Sequence, residues 1–411
     1  MWAMTTASSP FRFTPKLVDS RSLRPARPAV NRVHQWHQQI ELAFSPLSAP
    51  PVNSRHQAWL DHGRDIRDCQ RAISDQVRTD LLEQGLPPIE AASQITQQAD
   101  QTVSAFLELA QEDIEANLGP APGEFSILAM GKFGGREMTL GSDLDLIFVC
   151  EPFDNTASVE ATHYFSKLGQ KLISLMGWTP DWPASFEIDT RLRAHGGDGE
   201  LVTPLSGFSH YVMQECWTWE LQALTRLRPI AGSDRLARHV MSSARKAIQC
   251  RINPLSIFTE VADMRRLMQD ERPARSHWDV KLTRGGLIDI EFLTQALQLK
   301  ACAQGKIQPE ANTFKALLDL ERKKLLDRFH AASLQAAWSL FSAVRQLQGA
   351  LGETKLGEAD LAPHVILSAT GATSAKALEQ LLVQTYAEVR PVFANLLETD
   401  ESTVPLRRAC N

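Results

Sequence analysis

The sequence lacks the features that mark a disulfide-stabilised, zinc-stabilised or membrane protein. Its six cysteines are scattered: no two form a Cys-x-x-Cys pair and none clusters with histidine at zinc spacing. We therefore expect neither a structural zinc nor a disulfide framework. No apolar run approaches the roughly 18 residues that a bilayer-spanning helix needs, so we also expect no transmembrane helix and no membrane partner.

The chain also has little excess charge of either sign. Its 43 Lys and Arg residues stand against 48 Asp and Glu residues, which gives a net charge of −5 over 411 residues. A mildly acidic protein does not bind nucleic acid through charge alone, so we expect no nucleic-acid partner. Composition and length are those of a globular protein of about two or three domains, and we expect a cytoplasmic location.

Changes in composition divide the chain into four predicted regions. Residues 1–51 are rich in proline and arginine and are predicted to be a loose basic arm, with a transit peptide as the open alternative. Residues 52–118 have apolar residues at helical spacing and are predicted to be a helical segment. Residues 119–235 are predicted to be a catalytic domain, and residues 236–411 a C-terminal helical domain.

The predicted catalytic domain contains short apolar runs separated by turn residues. Phe125–Met130 and Leu144–Val149 are such runs and predict buried strands. Thr162–Met176 predicts a helix, and alternation in Phe186–Arg193 predicts a strand with one buried face. A last helix is predicted over Ser374–Leu397.

Two aspartates at the start of the second predicted strand are the first candidate site residues. Asp143 and Asp145 are two positions apart, so on a strand both side chains point to the same face. Two neighbouring carboxylates repel each other, and a divalent cation such as Mg²⁺ relieves that repulsion. Backbone N–H groups at nearby small residues can approach a phosphate. These residues are Gly134, Gly135, Gly141 and Ser142. The alternative is that the aspartates only cap a turn and face solvent.

A third carboxylate and two arginines lie in the strand predicted over residues 186–193. Asp189, Arg191 and Arg193 alternate with apolar residues and are expected on one face of the strand. If this strand lies beside the Asp143/Asp145 strand, three carboxylates converge and can hold two Mg²⁺ ions around a phosphorus centre. The arginines would then bind the leaving phosphates. The alternative is an ordinary surface ladder of ion pairs.

The sequences of four segments resemble the glutamine synthetase adenylyltransferase family. Asp-x-Asp on a strand, followed by a lone Asp on another strand, is also the pattern of polymerase-β-type nucleotidyltransferases. The segments are Leu128–Ile147, Ile188–Arg193, Trp219–Arg226 and Lys281–Phe292, in the order in which the family has them. Departures include Ala194, where the family usually has proline, and Phe133, where it has leucine. None of these departures removes a carboxylate.

The resemblance implies a fold, a reaction and partners. The fold would be α+β, a polymerase-β-type nucleotidyltransferase mixed sheet with large flanking α-helical regions. The reaction would be Mg²⁺-dependent transfer of AMP from ATP to a tyrosine of glutamine synthetase, which regulates nitrogen assimilation. Asp143, Asp145 and Asp189 would be the catalytic and metal-binding residues. Glutamine synthetase would be the protein substrate, and a PII-type signal protein is left open as a second partner.

Family members are bifunctional, with one unit that attaches AMP and a second that removes it. The stretch from Trp278 to Phe292 resembles the C-terminal, adenylyl-attaching unit more than the other. The chain stops about 120 residues after this motif, which is expected of that C-terminal half. The alternative function is a non-catalytic or divergent copy that binds nucleotide or partner proteins. Trp217 and Trp219, beside the third motif, are predicted to be core residues.

Overall fold

The computed structural model describes residues 55–153, 159–177, 186–352 and 370–398. The predicted arm at residues 1–51 therefore lies outside the described residues. Two long helices come first, α1 (Arg55–Glu83) and α2 (Pro88–Leu118). Helix α2 ends where the chain reaches Gly119, whose φ of +84° a side-chain-bearing residue rarely adopts. The described helices include none that is both long and apolar enough to cross a membrane.

A five-stranded mixed sheet follows the two helices. Its strands are β1 (Gly123–Ala129), β2 (Leu144–Pro152), β3 (Ile188–Asp189), β4 (Val202–Pro204) and β5 (Arg228–Gly232). The order along the sheet is β3-β2-β1-β5, and β4 also pairs with β2. Strand β1 runs antiparallel to both β2 and β5, whereas β3 and β4 run parallel to β2. The predicted α+β class with a mixed sheet is confirmed.

Helices occupy the connections between the strands. They are the short α3 (Gly131–Gly134), α4 (Val159–Met176), α5 (Leu205–Gln214) and α6 (Thr218–Ala223). Single 3₁₀ turns lie at Gly196–Asp198 and Leu224–Arg226.

The rest of the described chain is helical. It comprises α7 (Asp234–Arg251), α8 (Ile257–Glu271), α9 (Leu287–Ala303), α10 (Thr313–Arg322), α11 (Arg328–Leu351) and α12 (Ala375–Phe393). A π-helical turn, Ala394–Glu398, extends α12, so the helix predicted over Ser374–Leu397 is present. Polar side chains cap several of these helices; the Asp327 carboxylate, for example, accepts N–H bonds from Phe329 and His330 at the start of α11.

The sheet lies between two hydrophobic clusters, and its alternating side chains enter them in turn. Ile127 and Phe148 pack with α1, α2 and α4 on one face. Leu128 and Ile147, one position away, pack with α5, α7 and the later helices on the other face. This is why β1 and β2 read as continuous apolar runs. Asp145 lies two residues before Ile147 on β2, so its side chain points to the same face of the sheet. That face is the one that the later helices cover.

The strand predicted over residues 186–193 is much shorter than expected. Only Ile188 and Asp189 pair with β2, and turns begin at Arg191. Backbone bonds from Arg193 N to Thr190 O and from Gly196 N to Arg193 O close these turns. The alternation extended the predicted strand too far because polar turn residues continue the same pattern by chance.

Candidate active site

The candidate site lies where β2 begins, beside β3. Asp145 is in direct parallel register with Asp189, and Leu144 N–H donates to the Glu187 carbonyl oxygen at 2.7 Å. Asp143 immediately precedes β2 and is exposed. The two carboxylates predicted on one strand and the third predicted on its neighbour are therefore brought to the same edge of the sheet.

The electrostatics show that these carboxylates act on one another. Burial, followed by repulsion from Asp189 and Asp143, raises the pKa of Asp145 to about 6. Such mutual repulsion is what a divalent cation with hard oxygen ligands relieves. The donor chemistry of this cluster therefore fits Mg²⁺.

Asp189 is held by its neighbour Arg191. Its Oδ1 accepts from the Arg191 backbone N–H at 2.8 Å and from Nε at 3.0 Å, and its Oδ2 also accepts from the guanidinium. This hydrogen bonding lowers the pKa of Asp189. Within the described ranges no three His, Cys, Asp or Glu side chains stand together as metal ligands. Both oxygens of Asp189 are engaged by Arg191.

The two predicted phosphate-binding arginines have different contacts. The Arg191 side chain is 79% exposed and its partner is Asp189. The Arg193 guanidinium donates to the carbonyl oxygens of Thr190 (2.8 Å) and Gly197 (3.0 Å) and so holds its own loop together. A phosphate-binding role for either arginine stays a prediction.

A tight turn precedes Asp143. Gly141 has φ +77°, with open space around it. Ser142 N–H donates to the Thr139 carbonyl oxygen at 2.9 Å, while Ser142 Oγ accepts from Thr139 N–H at 3.0 Å. Both Gly141 and Ser142 line a cavity at the site, and their binding of phosphate stays a prediction.

The other predicted glycines pack against protein instead. A Cβ on Gly134 would meet the Arg226 carbonyl oxygen at 1.9 Å, and one on Gly135 would meet the Arg226 guanidinium at 2.2 Å. Neither of these glycines lines the cavity. Gly131, which the sequence analysis did not select, lies against the site: its φ is +54° and a Cβ there would be 2.0 Å from Asp145 Oδ2.

A cavity of 430 Å³ opens in front of Asp143 and Asp145. Its polar wall includes four cationic side chains, Lys132, Arg226, Lys281 and Arg345. Its apolar lining includes Trp219, Met264, Met268 and Phe292. The cavity thus sets carboxylates opposite cations, with an apolar surface beside them.

Arg226 is the centre of a buried charge network. It is paired with Glu137, and its Nη1 is 3.5 Å from Glu291 Oε2. Glu137 also accepts from Thr313 N–H at 2.6 Å, which ties α10 to the turn after α3. Arg226 and Glu291 lie in motif segments that the sequence analysis quoted without assigning them a role.

Lys132 and Arg345 were missed by the sequence analysis as site residues. Burial lowers the pKa of Lys132 to about 7, and nearby Arg345 acts in the same direction. Arg345 comes from α11, far along the chain, and no motif marks it. Lys132 could have been chosen as a candidate from the sequence, because it lies in the first motif, directly after Gly131.

The tryptophans beside the third motif are not in the core. Trp217 is 56% exposed, and Trp219 is 41% exposed and lines the cavity. The core prediction was wrong: Trp217 directly precedes α6, and Trp219, in the first turn of that helix, lines the cavity rather than the core. Glu220 has a structural role there: it accepts from Trp217 N–H at 2.7 Å and from the Tyr211 hydroxyl at 2.6 Å.

Comparison with known proteins finds a match to a different family model in each of two regions of the chain. Residues 61–242 match the family described as glutamate-ammonia ligase adenylyltransferase, and residues 259–397 match GlnD PII-uridylyltransferase. Similar proteins include the bifunctional glutamine synthetase adenylyltransferase/adenylyl-removing enzymes of three bacteria. The Bradyrhizobium sp. BTAi1 enzyme is 34% identical over 78% of this chain and 34% of its own length. The Mesorhizobium japonicum enzyme is 32% identical over 84% and 37%, and the Agrobacterium fabrum enzyme 33% identical over 70% and 30%.

This chain spans about a third of the length of these relatives. The similarity nevertheless includes the strands that carry Asp143, Asp145 and Asp189, since all three lie within residues 61–242. By this match, residues 61–242 carry a domain similar to the glutamate-ammonia ligase adenylyltransferase family.

Proposed function

We propose that this protein is a Mg²⁺-dependent nucleotidyltransferase that moves AMP from ATP to a tyrosine of glutamine synthetase. The observation that supports the proposal is the register of Asp145 with Asp189, beside a cavity that Asp143 and Asp145 line together with four cationic side chains. The names of the relatives support the choice of reaction and of protein substrate.

The carboxylates would hold the metal. Asp143 and Asp145 would bind Mg²⁺ together, since the cation would relieve the burial cost and the repulsion from Asp189 and Asp143 that raise the pKa of Asp145. Bound Mg²⁺ would neutralise the charge that develops on the phosphates during displacement at phosphorus. Asp189 would complete the site after exchanging its contact with Arg191, and would accept the proton of the attacking tyrosine hydroxyl.

The opposite wall would hold the rest of ATP. Lys132, Lys281 and Arg345 carry the positive charge that a triphosphate needs, and the turn before Asp143 would offer the Gly141 N–H and the Ser142 hydroxyl to the β- and γ-phosphates. Trp219 and the methionines of α8 provide a flat apolar surface suited to the adenine ring. Most of the acceleration would come from positioning and charge neutralisation.

Two further assignments follow from the proposed reaction. ATP and glutamine synthetase are cytoplasmic, so the protein would act in the cytoplasm. A PII-type signal protein is proposed as a second partner, because residues 259–397 resemble an enzyme that is named for acting on PII.

The test is transfer of label from α-labelled ATP to purified glutamine synthetase in the presence of Mg²⁺. We expect label on the substrate with the wild-type chain and none with Asp143→Asn or Asp145→Asn. Asp198→Asn is the matched control, since this exposed carboxylate lies in the neighbouring loop and not in the cavity. ATP binding without any transfer by the wild-type chain would favour the divergent, non-catalytic alternative. Normal transfer by either site variant would show that the aspartate it replaces does not have the proposed metal-binding role.

A further inference from the structure

A second cavity, of 310 Å³, lies behind the first. The start of α2, the turn after α3, and residues of α10 and α11 form its walls. Its volume is at the lower end of the range of about 300–1,000 Å³ that small-molecule sites occupy. Nothing in the proposed transfer reaction uses this space.

Three charged residues line both cavities. Lys132, Glu291 and Arg345 each face the carboxylate cavity on one side and the second cavity on the other. They form a shared wall between the two cavities.

Unpaired polar atoms are buried at the second cavity. Gln346 is only 2% exposed; its Nε2 donates to the Met138 carbonyl oxygen at 2.6 Å. Among the described residues, its Oε1 has no hydrogen-bond partner, and neither does the buried Nε of Arg345. A buried polar atom without a partner is costly, so both atoms are suited to a bound molecule.

The charged lining favours an anion. Lys132, Arg136, Lys315 and Arg345 line the cavity against two carboxylates, Glu137 and Glu291, both of which already interact with Arg226. The N-terminus of α2, a helix of 31 residues, also contributes Pro88 and Ile89, and no side chain caps it. Pro88 has no N–H, so the Ile89 N–H and the helix dipole are what this helix start adds to the attraction for negative charge.

The remaining lining is apolar. Leu287, Phe314 and Trp338 face the cavity, and Ile89 at its edge is 57% exposed. An anion alone, such as phosphate, would leave this surface unused. A ligand that matches the whole lining carries an acidic group, a ring or aliphatic body, and an N–H or O–H donor for Gln346 Oε1.

We propose that this second cavity is a separate binding site for a small amphipathic organic anion, such as an aromatic carboxylate, sulfonate or phosphate with a hydrogen-bond donor. The ligand lies across the shared wall from the carboxylates, with its acidic group near Arg136 and Lys315, which line only this cavity, and its apolar body against Trp338.

The test uses 8-anilinonaphthalene-1-sulfonate, which combines a sulfonate, aromatic rings and an N–H donor and fluoresces when bound. Titration of the full chain is expected to show saturable binding of one dye per chain. Saturating Mg-ATP should not displace the dye. Competitive displacement by Mg-ATP would place the dye in the first cavity and overturn the proposal.

Two pairs of variants locate the dye. Ser342→Phe fills the cavity and should abolish saturable binding, whereas Ala336→Phe, at an exposed position of the same helix that does not line the cavity, should leave it intact. Lys315→Glu should weaken binding about three- to tenfold, with Lys323→Glu, at the exposed residue directly after the same helix, as the charge-matched control.

Circular dichroism establishes which variants are folded, and the lysine pair decides the question if Ser342→Phe does not fold. A folded Ser342→Phe that binds the dye like the wild type would overturn the proposal. So would equal effects of the two lysine variants.

Discussion

At the scale of single residues, the three aspartates of the site have different surroundings, and this suggests different roles. Asp143 is exposed, and Asp145 is largely buried with a raised pKa. Asp189 is engaged by Arg191, which lowers its pKa. A carboxylate that is held by an exposed arginine can be released when substrate binds. Asp145, by contrast, is positioned by β2 itself, and Asp143 directly precedes that strand.

Replacing Asp189 should therefore separate turnover from nucleotide binding. With Asp189→Asn we expect AMP transfer to fall by about 10²-fold or more, as for loss of a general base. The affinity for Mg-ATP should stay within about threefold of the wild type, because Asp143 and Asp145 remain. Single-turnover transfer and equilibrium ATP binding measure the two quantities. A large loss of ATP affinity together with the loss of turnover would show that Asp189 stabilises the fold or binds the nucleotide.

Lys132 should make ATP binding depend on pH. Burial lowers its pKa to about 7, so this amine is mostly charged at pH 6 and mostly neutral at pH 8.5. Since the charged form attracts the triphosphate, ATP affinity should fall by about three- to tenfold as pH rises through 7.

The matched variant is Lys132→Arg, which stays charged over this range. Its ATP affinity should vary less with pH than that of the wild type. ATP itself titrates identically in both experiments, so its contribution cancels when the two proteins are compared. Identical pH profiles would contradict the role given to Lys132.

At the scale of elements, the sequence predicted what local pattern determines. The apolar runs of β1 and β2 and the Asp143/Asp145 pair could be found, because strand alternation and the turn at Gly141 are local properties. The contribution of Arg345 could not be found, because it depends on how α11 packs beside the sheet. The length of β3 was also missed, since turn residues imitate strand alternation.

The short turn into α3 should tolerate no side chain at Gly131. Gly131 and Gly141 both have positive φ, so alanine at either position costs about 1 kcal/mol of backbone strain. Only at Gly131 does the added Cβ also meet a site residue, Asp145 Oδ2. We expect Gly131→Ala to lose about 10²-fold or more of transfer through displacement of Asp145, and Gly141→Ala to lose about tenfold or less. Equal losses in the transfer assay would mean that strain alone is responsible.

A buried ion pair fixes the loop between α8 and α9. Arg265 and Asp289 are 0% and 1% exposed as side chains; Arg265 also donates to the Leu282 carbonyl oxygen, and Asp289 accepts from Gly285 N–H. These contacts hold the loop that carries Lys281 into the cavity.

Removing one partner of that pair should be costly. Asp289→Ala leaves Arg265 buried and unpaired, and we expect a loss of about 3–5 kcal/mol in the free energy of unfolding. Asp263→Ala breaks the neighbouring pair with exposed Arg266 and should cost about 1 kcal/mol or less. Urea unfolding measures both, and similar losses would show that the buried pair does not anchor the loop.

At the scale of the whole molecule, the carboxylate cavity is built from both matched regions. Asp143, Asp145 and Arg226 come from residues 61–242, whereas Lys281 and Arg345 come from residues 259–397. The sheet supplies the carboxylates and the later helices supply much of the facing wall. The cavity therefore depends on the packing of the helical region against the sheet, and neither region contains all of its residues.

The last prediction concerns the direction of the reaction. The relatives are named for two activities, and this chain spans about a third of their length with one Asp-x-Asp strand among its described residues. Attachment and removal of AMP both displace at the same phosphorus, so the carboxylates alone do not distinguish them. The Trp278–Phe292 stretch resembles the adenylyl-attaching unit, and we expect this chain to attach AMP.

Two parallel reactions test this direction. In the first, unmodified glutamine synthetase is incubated with Mg²⁺ and α-labelled ATP; in the second, adenylylated glutamine synthetase is incubated with Mg²⁺ and phosphate. Attachment transfers labelled AMP to the tyrosine and releases pyrophosphate, whereas removal joins AMP to phosphate and releases ADP. We expect label on the protein in the first reaction and no ADP in the second, with Asp143→Asn inactive in both. ADP from the second reaction without label in the first would show that this chain is the removing unit, and would leave the assignment of its carboxylates intact.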